Sequence, residues 1–250
     1  MREIRRRLPE EGIVYFGDMA RLPYGIKSKE QILSFSIQNT LFLLKHKIKA
    51  LVIACNSSSS AAYTFLKRHF NLPVLDVITP AAEQAARVTR TKRIGVIATQ
   101  ATVESGAYEK RIRALLPSAK VFASACPLFV PLVEEGWLAG EIPEKVAASY
   151  LEPLKRQKVD TLVLGCTHYP LLRNTIKKIA GRSIQLVDSV EPTVENLASI
   201  LEKNGLVYPF DRRRHGDLKV FVSDRPRNFI RVGEKFLGEK LHHVELVRQK

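Results

Sequence analysis

Two stretches of this chain repeat one design, and that design restricts the fold more tightly than any other feature. Lys47-Ile-Lys-Ala-Leu-Val-Ile-Ala-Cys55-Asn56 matches Lys158-Val-Asp-Thr-Leu-Val-Leu-Gly-Cys166-Thr167. Each is a short apolar run rich in β-branched residues, which suits a strand buried on both faces of a parallel sheet. Each runs into a cysteine, then into hydroxyl or amide side chains, then into a helical pattern. Ligands of α/β folds bind beyond the carboxyl ends of parallel strands, so both thiols fall where such folds place their chemistry. Their duplication predicts two sulfurs facing one pocket from opposite sides. That geometry suits moving a proton from one face of a carbon to the other.

Strand patterns recur at 13–17, 50–54, 73–77, 93–98, 119–123, 161–165 and 184–188. Helical patterns lie over 29–46, 57–68, 80–88, 105–115, 143–157 and 170–180. This alternation predicts an α/β protein of two similar domains, each a mostly parallel sheet flanked by helices. The positions of the repeated unit place one domain over 79–188 and the other over 1–78 plus 189–250, with the active site in the cleft between them. Residues 29–46 are apolar on more than one face, as expected of a helix sandwiched between layers.

The chain has 250 residues, long enough to bury a sizeable core. No apolar run approaches the roughly 20 residues needed to cross a bilayer, and the basic N-terminus lacks the apolar region of a secretory signal. Three cysteines form no disulfide framework, which points to a reducing cytoplasm. The net charge of +15 invites a polyanion-binding reading. The cations, however, are spread along the whole length, and no RNA-binding sheet motif or Cys/His finger accompanies them. A generally cationic surface is the plainer account, and nucleic acid is not expected as the main partner.

Cys55 opens the polar run Asn56-Ser57-Ser58-Ser59-Ser60 at a predicted helix N-terminus. Unpaired amides and the positive end of the helix dipole favour thiolate there, lowering a pKa of about 8.5 in the free side chain. The same amides can hold a carboxylate. Cys166-Thr167-His168-Tyr169-Pro170 supplies a second thiol, a hydroxyl and an imidazole that titrates near neutrality. Cys126 has no such polar companions and reads as structural. Paired zinc-ligand spacing is absent, as are the phosphate-loop and dinucleotide-binding glycine motifs. The expectation is therefore carbon-acid chemistry with no cofactor and no metal.

These residues resemble glutamate racemase, of the cofactor-independent aspartate/glutamate racemase superfamily. The resemblance spans nearly the whole chain through Tyr15-Phe-Gly-Asp18, Pro23-Tyr24-Gly25, Val52-Ile-Ala-Cys55-Asn56, Ala125-Cys126-Pro127-Leu128 and Leu164-Gly165-Cys166-Thr167-His168-Tyr169-Pro170. It implies that Cys55 and Cys166 are the two acid/base catalysts, Cys55 serving the D-enantiomer and Cys166 the L-enantiomer. It places Tyr24, Gly25, Asn56, Ser57, Thr167 and His168 around the substrate's amino and carboxylate groups and makes Glu134 a carboxylate that assists proton transfer, while His168 could donate to the substrate carboxylate or pass protons with Cys166. It further implies D-glutamate supply for peptidoglycan and a cytoplasmic homodimer.

Related aspartate racemases usually carry Glu where this chain has His168, which argues against a different small carboxylate as substrate. The family also opens with a strand and an Asp-Ser-Gly-x-Gly-Gly turn. Here Met1-Arg-Glu-Ile-Arg-Arg-Arg-Leu-Pro9 resembles the helix that follows that turn. The expected result is a sheet with two exposed edges, from either an upstream start or a weakly active, polyanion-binding homologue.

Overall fold

The computed structural model describes residues 1–209, 215–238, 240–241 and 243–248. It is an α/β protein whose paired strands all run parallel. In chain order the elements are α1 (Arg2–Arg7), β1 (Ile13–Gly17), α2 (Lys29–Leu44), β2 (Leu51–Ile53), α3 (Asn56–His69), β3 (Val74–Asp76), α4 (Ile78–Val88) and β4 (Arg93–Ala98). Next come α5 (Gln100–Glu104), α6 (Ala107–Leu115), β5 (Lys120–Ala125), α7 (Phe129–Glu134), α8 (Glu141–Arg156) and β6 (Thr161–Gly165). The chain continues through α9 (Arg173–Ala180), β7 (Gln185–Val187), α10 (Val190–Lys203), β8 (Leu218–Val222), α11 (Pro226–Leu237) and β9 (Val244–Leu246).

One sheet has the order β5-β4-β6-β7. Every residue of β6 is buried, because helices cover both of its faces. Leu162 and Leu164 point into a cluster with Leu151 and Leu154 of α8 and Ile176 and Ala180 of α9. Val163 points the other way, among Ala81, Ala82 and Ala85 of α4 and Tyr108 and Ile112 of α6. The period-two alternation of a strand thus serves two apolar layers, which is why the sequence shows an unbroken apolar run.

The remaining strands form two separate sheets, β1-β8-β9 and β2-β3. Helix α2 covers both. Its Phe42 packs on Phe16 of β1 and Phe221 of β8, while Leu33, Ile37 and Leu43 pack toward Leu51 and Ile53 of β2. The helix expected to be sandwiched therefore bridges two sheet fragments. Its polar face costs little, since the Ser36 and Thr40 hydroxyls donate to the carbonyls of Ile32 and Ser36 at 2.7 Å each. Among the described residues β1 pairs only with β8, and β2 only with β3. Each therefore has one edge without a partner strand among the described residues.

Two stretches differ from the sequence reading. The helix expected over 105–115 is α6, but the short α5 before it was not expected; Gly106, at φ +61°, separates the two. After Cys166 the chain makes a turn and a short 3-10 helix, Tyr169–Leu172, before α9 begins at Arg173. The second cysteine does not sit at a helix N-terminus as the first one does.

Candidate active site

Strand β2 delivers Cys55 to the N-cap of α3, and β6 delivers Cys166 one residue beyond its end. Both are free thiols. Cys55 keeps some exposure and Cys166 is buried. They lie close enough that negative charge on Cys166 raises the pKa of Cys55. The expectation that the helix N-terminus lowers the Cys55 pKa is overturned. Burial is the largest influence and pushes the thiol up, against the backbone N–H groups of Ser58 and Ser57 and the Ser58 side chain. Loss of hydration exceeds what those donors return.

Cys166 has an imidazole in place of helix amides. His168 Nδ1 lies 3.8 Å from Cys166 Sγ, and His168 Nε2 lies 2.7 Å from Glu134 Oε1 at the end of α7. Burial alone pulls the His168 pKa down. The hydrogen bonds to Cys166 and Glu134, with the charges of both, overcome it and raise the value to about 10. His168 is therefore an imidazolium at neutral pH. It donates one N–H to the carboxylate and aims the other at the sulfur. Thr167 is exposed beside it, its hydroxyl 3.5 Å from His168 Nδ1.

The Pro23-Tyr24-Gly25 segment is held from both sides. The Tyr24 hydroxyl donates to Asp18 Oδ2, which also takes Arg21 Nε at 2.7 Å. Ser223 donates to the other oxygen, Oδ1, at 2.9 Å. Gly25 presses against Thr99, at the carboxyl end of β4. A Cβ there would lie 2.6 Å from Thr99 Cβ, so only glycine permits the approach. Thr99 in turn shares a hydrogen bond with Ser57 at 2.9 Å and another with Thr102 at 3.0 Å. The hydroxyl of Ser57 is thus committed to protein partners.

Asn56 is 2% exposed. Its Oδ1 accepts from the Tyr108 hydroxyl at 2.7 Å, and its Nδ2 is buried with no hydrogen-bond partner among the described residues. A buried donor left empty costs about 1–3 kcal/mol. Tyr15 belongs to the same surroundings. Burial raises its pKa to about 12, helped by charge on Cys55 and Glu134.

The structure therefore gathers Cys55, Asn56 and Ser57 on one side. Cys166, Thr167, His168 and Glu134 form a second group, and the Tyr24-Gly25 loop seats on Thr99. Cys126 is fully buried, and burial pushes its thiol up to about 12, as befits a structural residue. Asp18, Thr99 and Tyr108 were not singled out from sequence. Asp18 and Thr99 each follow the last residue of a strand, and the strand-end rule that found the cysteines could have found them. A cavity of 570 Å³ opens at the opposite, amino ends of β4, β6 and β7, lined by Arg90, Asp160, Arg173 and Lys177. It lies away from both thiols. Among the described residues no three of His, Cys, Asp and Glu converge as a metal-ligand set.

A profile of the family described as Asp/Glu/Hydantoin racemase matches residues 1–197. The chain belongs to the Asp/Glu/hydantoin racemase family. Among curated members it is 47% identical to a glutamate racemase of Geobacter metallireducens, over 98% of this chain and 90% of that protein. It is 46% identical to one from Neisseria meningitidis serogroup A, over 99% of this chain and 91% of that one. Two solved glutamate racemases share the racemase fold seen here. An isoform from Bacillus anthracis superposes with TM-score 0.92 at 36% identity, covering 98% of this chain and 91% of that one. The Francisella tularensis protein, solved in complex with D-glutamate, gives 0.91 at 37%, with the same coverage.

Proposed function

We propose that this chain interconverts L- and D-glutamate by a two-thiol proton transfer that uses no cofactor. The observation that carries the reading is the meeting of Cys55 and Cys166, brought from two different sheets to within each other's electrostatic reach. The glutamate racemase relatives support the choice of substrate.

With L-glutamate bound, a Cys166 thiolate takes the α-hydrogen as a proton, and the C–H electron pair passes into the α-carbon and its carboxylate. Cys55 delivers its S–H proton to the opposite face, so Cys166 ends as thiol and Cys55 as thiolate. The reverse reaction exchanges these roles. The charge that develops on the carboxylate needs preorganised donors, and the vacant Nδ2 of Asn56 is one candidate. Tyr24, Gly25 and Thr167 complete the binding walls in this reading. The His168 imidazolium steadies the Cys166 sulfur when that sulfur is negative, and Glu134 holds the imidazolium in place. We extend the proposal to the two-domain division at 78/79 and 188/189 and to a cytoplasmic homodimer supplying D-glutamate for peptidoglycan. The family resemblance supports that extension.

Proton NMR in deuterated buffer tests the reading, through loss of the α-hydrogen signal of glutamate and of aspartate. Exchange of glutamate is expected to stop when either Cys55 or Cys166 is replaced by Ala. Exchange of aspartate in preference to glutamate, or turnover that survives both replacements, would overturn it.

A further inference from the structure

The residues that carry the reaction must hold two sulfurs at a fixed separation, yet they sit on loops that leave different sheets. One side chain touches both loops. Tyr108, on α6, is 3% exposed. Its hydroxyl donates to Asn56 Oδ1, the residue after Cys55, at 2.7 Å. Its ring lies against Gly165, the residue before Cys166, where an added Cβ would come 3.0 Å from Tyr108 Cε2.

We propose that Tyr108 is a positioning residue: a rigid strut that sets the spacing of the two cysteine loops and turns the Asn56 amide so that Nδ2 faces the substrate. The inference rests on the racemase reading above. In the arrangement seen here the phenol donates to Oδ1, and that bond holds the amide with its oxygen toward Tyr108. The donor Nδ2 is the end left unpartnered. Burial, then the charges of Asp76, Cys166 and Asp188, push the phenol pKa up, so the hydroxyl keeps its proton throughout the working pH range. An aromatic ring has two side-chain torsions and little entropy to lose, which suits it to hold a distance. The distance matters because a misplacement of about 1 Å in a reacting pair can cost ~100-fold in rate.

The test is a double-mutant cycle of Tyr108→Phe and Asn56→Ala, assayed by α-hydrogen exchange of glutamate. Tyr108→Phe keeps the ring and deletes the hydroxyl, so the expected loss in kcat/KM is about tenfold, the worth of one buried hydrogen bond. Most of that loss should appear in KM. Added to Asn56→Ala, the same change should cost less than about twofold, because the partner it acts through is already gone. An equal loss in both backgrounds, or no loss in the parent, overturns the inference.

A second variant does not depend on the folding of any Tyr108 mutant. Asn56→Asp keeps the acceptor for Tyr108 but replaces the donor with a like charge facing the substrate carboxylate. A buried carboxylate there lowers the unfolding midpoint, so the variant is assayed below its own midpoint, where it is expected to lose more than ~100-fold in kcat/KM. Retained activity would overturn the inference.

A third readout needs no turnover. The Asn56 side-chain ¹⁵N–¹H pair should be sharp and resolved in the parent and broadened in Tyr108→Phe, and an unchanged pair counts against the strut. A parent that shows this NMR behaviour yet exchanges no glutamate would sink the racemase reading and leave the strut standing.

Discussion

Replacing Glu134 by Gln should remove part of the stability that His168 confers at neutral pH, and the deficit should fade as pH rises. In the native protein His168 holds its proton to about pH 10, against an ordinary value of 6.5. Its contribution is therefore fully present below 6.5 and is lost as pH climbs through the folded value. Across that window the native state binds one proton more than the unfolded chain, and unfolding free energy falls by about 1.4 kcal/mol per pH unit. Integrated over the shift this is roughly 5 kcal/mol, an upper bound. The imidazole side chain keeps 20% exposure and Glu134 34%, so water screens the pair, and Cys166 holds a share of the effect. About 2 kcal/mol remains for the Glu134 charge. Gln keeps a carbonyl that can accept from Nε2 and loses only the charge. Urea unfolding of both forms from pH 7 to 10.5 should show a difference of about 2 kcal/mol at the low end and under about 0.5 kcal/mol at the high end. A difference that stays constant across the series would refute the assignment of His168 as an imidazolium paired with Glu134.

Three further outcomes follow from the packing. Asp160 accepts from Thr89, Arg90 N, Thr91 N and Thr161. Burial works against it, but these bonds hold its pKa at about 2. Its contribution is thus present above the ordinary 3.8 and lost as pH falls toward 2. Asp160→Ala should cost about 2 kcal/mol in urea unfolding at pH 7, and the cost should shrink between pH 4 and 2. Gly25→Ala would drive a Cβ to 2.6 Å from Thr99. It should cost about 1–3 kcal/mol and raise KM for glutamate more than it lowers kcat, since the Tyr24 loop must move. Iodoacetamide should label Cys55 before Cys126, as shown by peptide mass spectrometry, because Cys126 is fully buried with a pKa near 12. Cys126→Ala should leave racemisation intact.

The two cysteine loops were legible because strand and cysteine occur together twice. A run such as Leu162-Val-Leu-Gly165 has no polar residue to turn outward, which fixes both its parallel neighbours and its covering helices. Less was legible where a local rule met a tertiary one. The helix N-terminus at Cys55 was read correctly, but its electrical consequence was reversed by burial, which no local pattern reports. Helix α7 was missed because six residues with Pro131 among them give no periodicity. Helix α5 was missed because five residues are too few to show a helical period. Tyr108 resembles any core aromatic in sequence, and its role depends on contacts with residues 52 positions away in one direction and 57 in the other.

The two thiols are mounted unequally. Cys166 stands on a strand of a four-stranded sheet walled by helices, while Cys55 stands on one strand of a pair. A two-stranded ribbon gains little cooperative support, and backbone groups along an open edge are the first to loosen. Mild heating should therefore slacken the seat of Cys55 while the opposite base is still in register. Catalysis would then disappear several degrees before the bulk of the molecule melts, because one jaw of the vice gives way first.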